Sequence, residues 1–197
     1  LAGVFARMER PLILKAEPDS RPVSEDLRRM LMELAALTDK LTVEWTPPSD
    51  GPERPCVRVL RADGTDTGIA FHGVPGGHEF NSFVVGLYNA AGPGQSIDPA
   101  LAEAIAAIDR PLDLQIVVAL SCTMCPELVI AAQKIAASNP LVTAKVYDVN
   151  HFPELRERYK IMSVPCLIIN KAKVAFGKKT LGQLLELLAE PEDGQTG

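Results

Sequence analysis

Apolar residues recur along this chain with two alternating rhythms. Short apolar runs, the mark of strands, alternate with stretches whose apolar positions fall three and four apart, the mark of helices. In the second half, residues 113–119 read as a strand. The stripe Leu128, Val129, Ala132, Ile135 and Ala136 then predicts a helix, which Asn139-Pro140 ends. Residues 144–149 read as a strand, 152–159 as a short helix and 167–169 as a strand. Asn170-Lys171 turns that strand into another at 174–176. Thr180 is placed to cap a last helix with Leu181, Leu184, Leu185 and Leu188 on one face.

The first half repeats nearly the same order. A strand at 12–14 precedes a helix over 24–37 whose face carries Leu27, Met30, Leu31 and Leu34. Strands follow at 41–45, 57–60 and 69–71, the last two joined by Asp63-Gly64. A helix from His78 carries Phe80, Phe83, Val84, Leu87 and Tyr88. Pro55-Cys56 and Pro165-Cys166 stand 110 residues apart, each just before the first strand of a hairpin. The pattern predicts two similar α/β units in tandem, 1–109 and 110–190, with 191–197 as a polar tail or linker. A helix over 98–108 joins them, with Asp98 as its cap and Pro99 in its first position.

Charge narrows the partners. The net charge of −5, without a run of lysines or arginines, disfavours nucleic acid, whose phosphates call for a basic patch. No apolar stretch approaches the roughly 18 residues that span a bilayer. The first residues hold Arg7, Glu9 and Arg10 and no signal-peptide core, so a cytoplasmic, membrane-free protein is expected. The chain starts on Leu and ends on a polar stretch, as expected of a piece of a longer protein.

The four cysteines carry the candidate chemistry: Cys56, Cys122, Cys125 and Cys166. A C-x-x-C in such a chain is either half of a zinc site or a redox pair. The zinc reading needs Cys166, and perhaps Cys56, to converge on Cys122 and Cys125. The redox reading needs only a helix start, where unpaired N–H groups and the helix dipole favour a thiolate. Cys122 is then the attacking thiol. Cys125, one turn on, resolves the mixed disulfide. Pro126 costs little in a first turn. Pro165 either starts a strand or, in a redox fold of this order, is cis beside the disulfide, where backbone holds a substrate segment. Cys56 and Cys166 read by default as small core residues, and His72 and His151 as structural or surface groups.

Strand, Ser121-Cys122-Thr123-Met124-Cys125-Pro126, helix, strand, helix, Val164-Pro165, hairpin and helix together resemble thioredoxin-like folds. With Gly73-Val74-Pro75-Gly76-Gly77-His78-Glu79-Phe80, Phe176-Gly177 and Thr180-Leu181, the whole chain resembles the N-terminal domain of the flavoprotein subunit of alkyl hydroperoxide reductase. The resemblance implies an α/β fold of two tandem thioredoxin-like units, each a central mixed β-sheet flanked by helices. It implies that the first unit has lost its redox pair, Glu17 to Ser20 standing in its place. The second then relays electrons from a thioredoxin-reductase-like flavoprotein domain to a peroxiredoxin. Glu79 matches a family glutamate near the disulfide, an acid–base partner for the thiols. Val164, Pro165, Thr123 and Met124 are the candidate substrate-binding residues. No G-x-G-x-x-G is present, so FAD and NADH are expected on a separate or missing domain and no cofactor or metal within this chain. The family forms homodimers. Its dipeptide between the cysteines typically contains His, where Thr123-Met124 stands here. A general protein-disulfide reductase of the same architecture and a scaffolding role for the first unit are the other functional expectations.

Overall fold

The computed structural model describes residues 1–191, so the predicted tail falls outside the described residues apart from Pro191. The elements run α1 (Ala2–Arg7), β1 (Leu12–Glu17), α2 (Val23–Ala36), β2 (Leu41–Trp45), β3 (Cys56–Arg61), β4 (Asp66–His72) and α3 (Glu79–Ala91). The second half runs α4 (Pro99–Ala106), β5 (Leu112–Val118), α5 (Pro126–Ser138), β6 (Val142–Asp148), α6 (Glu154–Arg158), β7 (Cys166–Ile169), β8 (Lys173–Phe176) and α7 (Leu181–Ala189). Predicted ends are displaced by one to three residues where helices fray or strands extend.

The eight strands form one sheet in the order β2-β1-β3-β4-β6-β5-β7-β8. Each half has the same internal pairing. β1 runs parallel to β2 and antiparallel to β3, as β5 does to β6 and β7. Hairpins β3–β4 and β7–β8 complete the halves. Pro55-Cys56 and Pro165-Cys166 thus stand at equivalent points of two like-paired halves. The unexpected feature is the seam: β4 pairs in parallel with β6, Ile69 to His72 against Ala144 to Tyr147. Two edge strands, each a row of unpaired N–H and C=O groups, satisfy one another and merge two sheets into one.

One face of that sheet carries α2, α3, α5 and α7. Leu12, Leu14 and Ala16, with Leu112, Leu114, Ile116 and Val118, pack beneath apolar stripes of α2, α3, α5 and α7 in one continuous core. Strand side chains alternate in direction, so Val117, Tyr147, Cys166 and Ile168 fall on the opposite face, where Phe152, Leu155 and Ile161 cover them. Helix α1 was not expected. Its Phe5 and Met8 just beyond it are buried in the main core, and Arg7 lies over the Tyr88 ring. So short a helix is stable only by docking.

Local signals fix ends of α4, α7 and α5. Asp98 accepts a hydrogen bond from the Ala100 N–H at 2.9 Å, with Pro99 at the first position of α4. Thr180 and Gln183 cap α7 reciprocally. Asn139 ends α5 in extended backbone, and its amide donates to the carbonyls of Ile105 and Ile108 at 2.9 and 3.1 Å. The residue that stops one helix thus ties down the connection between the halves.

Candidate redox site

Strand β5 points into a tight turn in which the Cys122 N–H donates to the Ala119 carbonyl at 3.0 Å. Cys125 then caps α5 and Pro126 occupies its first position, with no side chain satisfying the free N–H groups. Cys122 and Cys125 form a disulfide with Cα atoms 5.6 Å apart. The two sulfurs are placed unequally. Cys122 is half-buried and reachable, whereas Cys125 is fully buried. An incoming thiol meets Cys122 first.

Val164 and Pro165 reach the same place from β7. Their peptide bond is cis, and the Val164 carbonyl lies 3.9 Å from the Cys122 sulfur. The Gly177 N–H donates to the Pro165 carbonyl at 3.0 Å, which pins this loop to the end of β8. Thr123 is exposed, and Met124 and Met162 stand 50% and 91% exposed on the rim. Met162 carries no motif, and only its exposure marks it.

Glu79 enters from the other half of the molecule. The His78 N–H donates to the Leu120 carbonyl at 2.9 Å, two residues before Cys122. Gly77 makes this approach possible. Its φ is +53°, and a Cβ there would stand 2.6 Å from the Leu120 carbonyl oxygen. The next residues begin α3, which packs along α5. The Glu79 side chain is fully buried, its Oε2 accepts from the Ser82 hydroxyl, and its Oε1 has no partner. Burial pushes the carboxyl up to about 7, with the Ser82 hydrogen bond acting against it.

Cys56 and Cys166 occupy equivalent places, each the first residue after a cis proline, and both are buried. Burial pushes the Cys56 thiol up to about 12 and the Cys166 thiol up to about 11. Neither is a nucleophile at neutral pH. The structure does not bring them to the disulfide as the zinc alternative requires. Among the described residues, no three His, Cys, Asp or Glu side chains gather as a metal set.

In the first half the loop 18–22 stands where the disulfide loop stands in the second. Glu17 itself lies in β1 opposite Cys56, as Val117 lies opposite Cys166, so the replaced segment starts at Pro18 and not at Glu17. Buried Asp19 accepts from the Ser24 hydroxyl and the Arg21 Nε, both at 2.7 Å. Burial works to raise its pKa, but these bonds outweigh it and hold the carboxyl below its ordinary value. Sequence reading also missed a buried cluster at the seam. His72 stacks on Tyr147 with centroids 4.1 Å apart, and the Tyr147 hydroxyl donates to Glu53 at 2.5 Å. Burial pulls the His72 imidazole down to about 4.

A bonded cysteine pair at a helix start, one sulfur reachable and the other buried, can exchange its disulfide for two thiols, and so defines a thiol–disulfide oxidoreductase domain of thioredoxin-like fold. A family model described as a thioredoxin domain matches residues 112–189. The crystal structure of the NTD_N/C domain of the alkylhydroperoxide reductase AhpF of Enterococcus faecalis superposes with a TM-score of 0.89 at 37% identity, covering 95% of both chains. This chain belongs to that family, the N-terminal domains of the AhpF proteins of alkyl hydroperoxide reductase. The AhpF protein of Pseudomonas aeruginosa is 31% identical over 98% of this chain and 36% of its own length. A protein of Ferdinandcohnia aciditolerans named NADH dehydrogenase is 31% identical over 94% of this chain and 35% of its own. The chain thus spans about a third of the length of these curated relatives. No helix among the described residues is long and apolar enough to cross a membrane.

Proposed function

We propose that this domain relays electrons from a thioredoxin-reductase-like flavoprotein domain to a peroxiredoxin, in the cytoplasmic reduction of alkyl hydroperoxides. FAD and NADH are held outside this chain, and dimerisation occurs mainly through that flavoprotein part. In the forward half-reaction the Cys122 thiolate attacks one sulfur of the peroxiredoxin disulfide and expels the other as a thiolate. Cys125 passes its proton to Glu79 and attacks the Cys122 sulfur. The second peroxiredoxin thiolate leaves, and the Cys122–Cys125 disulfide closes. Two electrons have moved to the partner, whose two thiolates take up protons from Glu79 and from solvent, and the flavoprotein's dithiol restores the electrons by the reverse exchange. Val164 and Pro165 hold the incoming segment by backbone contacts, with Thr123 and Met124 against its side chains.

One observation carries the reading: a reachable Cys122 sulfur beside the Val164 carbonyl, with a buried partner one turn behind it. Dithiothreitol should expose two new thiols, mapped to Cys122 and Cys125. In a coupled assay the reduced chain should reduce a peroxiredoxin far faster than insulin. Equal rates on both would replace this reading with a general protein-disulfide reductase. Zinc bound stoichiometrically under reducing conditions would replace it with a metal module.

A further inference from the structure

Two buried polar side chains stand in the interface between α3 and α5, and the exchange chemistry uses neither directly. Ser82 is fully buried one turn into α3, and Gln133 is 1% exposed two turns into α5. The Gln133 amide donates to the Ser82 carbonyl at 2.8 Å. The interface is shaped to admit it. A Cβ on Gly86 would stand 2.7 Å from the Gln133 nitrogen, so any larger residue there displaces the amide. Glycine in a helix interior is unfavourable by about 1 kcal/mol relative to alanine, so its presence inside α3 needs such a reason.

The Ser82 hydroxyl has one hydrogen and two acceptors within reach, Glu79 Oε2 and the Glu79 backbone carbonyl, the latter at 3.0 Å. When the carboxylate is charged, Oε2 is the stronger acceptor. When it is neutral, the hydroxyl can turn to the carbonyl without losing a partner. Glu79 Oε1 has none in either case. We propose that Ser82, anchored across the two halves by Gln133, is a positioning residue for Glu79: it occupies Oε2 and leaves Oε1 as the atom that exchanges a proton with the redox thiols. This rests on the acid–base reading of Glu79.

Few other charges act on that carboxyl. The strands beneath α3 turn apolar side chains to it, among them Val59 and Phe71, and Lys15, Glu17 and Arg58 lie on the opposite face by strand alternation. On α3 and the helices packed against it, the titratable groups are His78, Tyr88 at the far end of α3, the Cys122–Cys125 pair, Glu127 and Lys134 of α5, and Arg7 of α1, which lies over Tyr88. Burial and Ser82 are the causes of its shift.

The test is the rate at which the pre-reduced full chain reduces a small aromatic disulfide, measured from pH 5 to pH 9. Glu79→Gln should remove an inflection near neutrality. Ser82→Ala should move that inflection up by about one pH unit, because the lost hydrogen bond favours the charged form. Ser82→Thr should move it back. Gln133→Leu should move it up by less, and carries the test if Ser82→Ala does not fold. If Glu79→Gln removes the inflection and neither Ser82→Ala nor Gln133→Leu moves it, the Ser82 assignment is wrong and the Glu79 reading stands. An upward shift that threonine does not reverse also overturns the assignment, since packing would then be its cause. An inflection that survives Glu79→Gln overturns both.

Discussion

The two halves of this molecule share a fold and a cis proline and differ, where chemistry is concerned, in one loop. In the second half, the loop before α5 puts a disulfide in front of the helix start. In the first, Asp19, Ser24 and Arg21 bond to one another at the same point of the fold. Arg21 goes further and donates to the carbonyls of His151 and Arg54 at 2.8 and 2.7 Å, joining the halves. A site has become a strut. The lesson is that the scaffold alone does not supply reactivity. Reactivity needs a reducible pair, and the first half holds the bonded Asp19, Ser24 and Arg21 in its place. The covering of the far face differs too. Helix α6 and Phe152 seal it in the second half, whereas Lys15, Glu17 and Arg58 leave it polar in the first.

The sharpest way to break this contrast is Cys122→Ser. Electron transfer should fall by about a thousandfold or more, since serine cannot form the mixed disulfide. A coupled peroxiredoxin assay would read the fall. Retained transfer would mean that the second half does not act through this pair.

Next in size is the buried carboxyl. Glu79 holds its proton up to about pH 7 when folded, against 4.5 for the free group. Its burial therefore lowers stability progressively as pH rises from 4.5 to 7. Glu79→Gln should gain up to about 3 kcal/mol at pH 8 and nothing near pH 4, by urea denaturation. The seam cluster has the opposite sign. His72 stays neutral down to about 4 when folded, against 6.5 for the free group, so its contribution is lost as pH falls below 6.5. Between pH 7 and pH 5 the wild type should lose about 2 kcal/mol more than His72→Phe. A parallel pH dependence for the two proteins would remove His72 from the account. The smallest effect belongs to the strut. Asp19→Ala should cost about 1 kcal/mol of stability and leave electron transfer unchanged. A drop in transfer would show that the first half still takes part in the chemistry.

Much of the architecture was legible because its signals are local. Helical stripes, Asp98-Pro99, Thr180 and the paired Pro-Cys motifs each report on a few neighbouring residues, and each lies where the sequence reading placed it. Cys122 and Cys125 were legible by their spacing. Ser82 and Gln133 were missed, although each is a polar residue at a buried phase of an apolar stripe, and that mismatch was the available signal. Asp19 looked like an ordinary loop carboxylate. Helix α1 was invisible because its stability comes from the core it docks on.

By itself the sequence determined the order of elements from β1 onward, the repeat and the cysteine pair, because propensity, capping and spacing act over a turn or a strand. Only the tertiary structure decided which sulfur is reachable, that Val164 and Pro165 stand beside it, and that a glutamate from the other half is buried among apolar side chains. Burial, and with it a carboxyl pushed to about 7, depends on what packs around a group from distant parts of the chain. The β4–β6 seam makes that packing possible by joining two sheets that local sequence describes only one at a time.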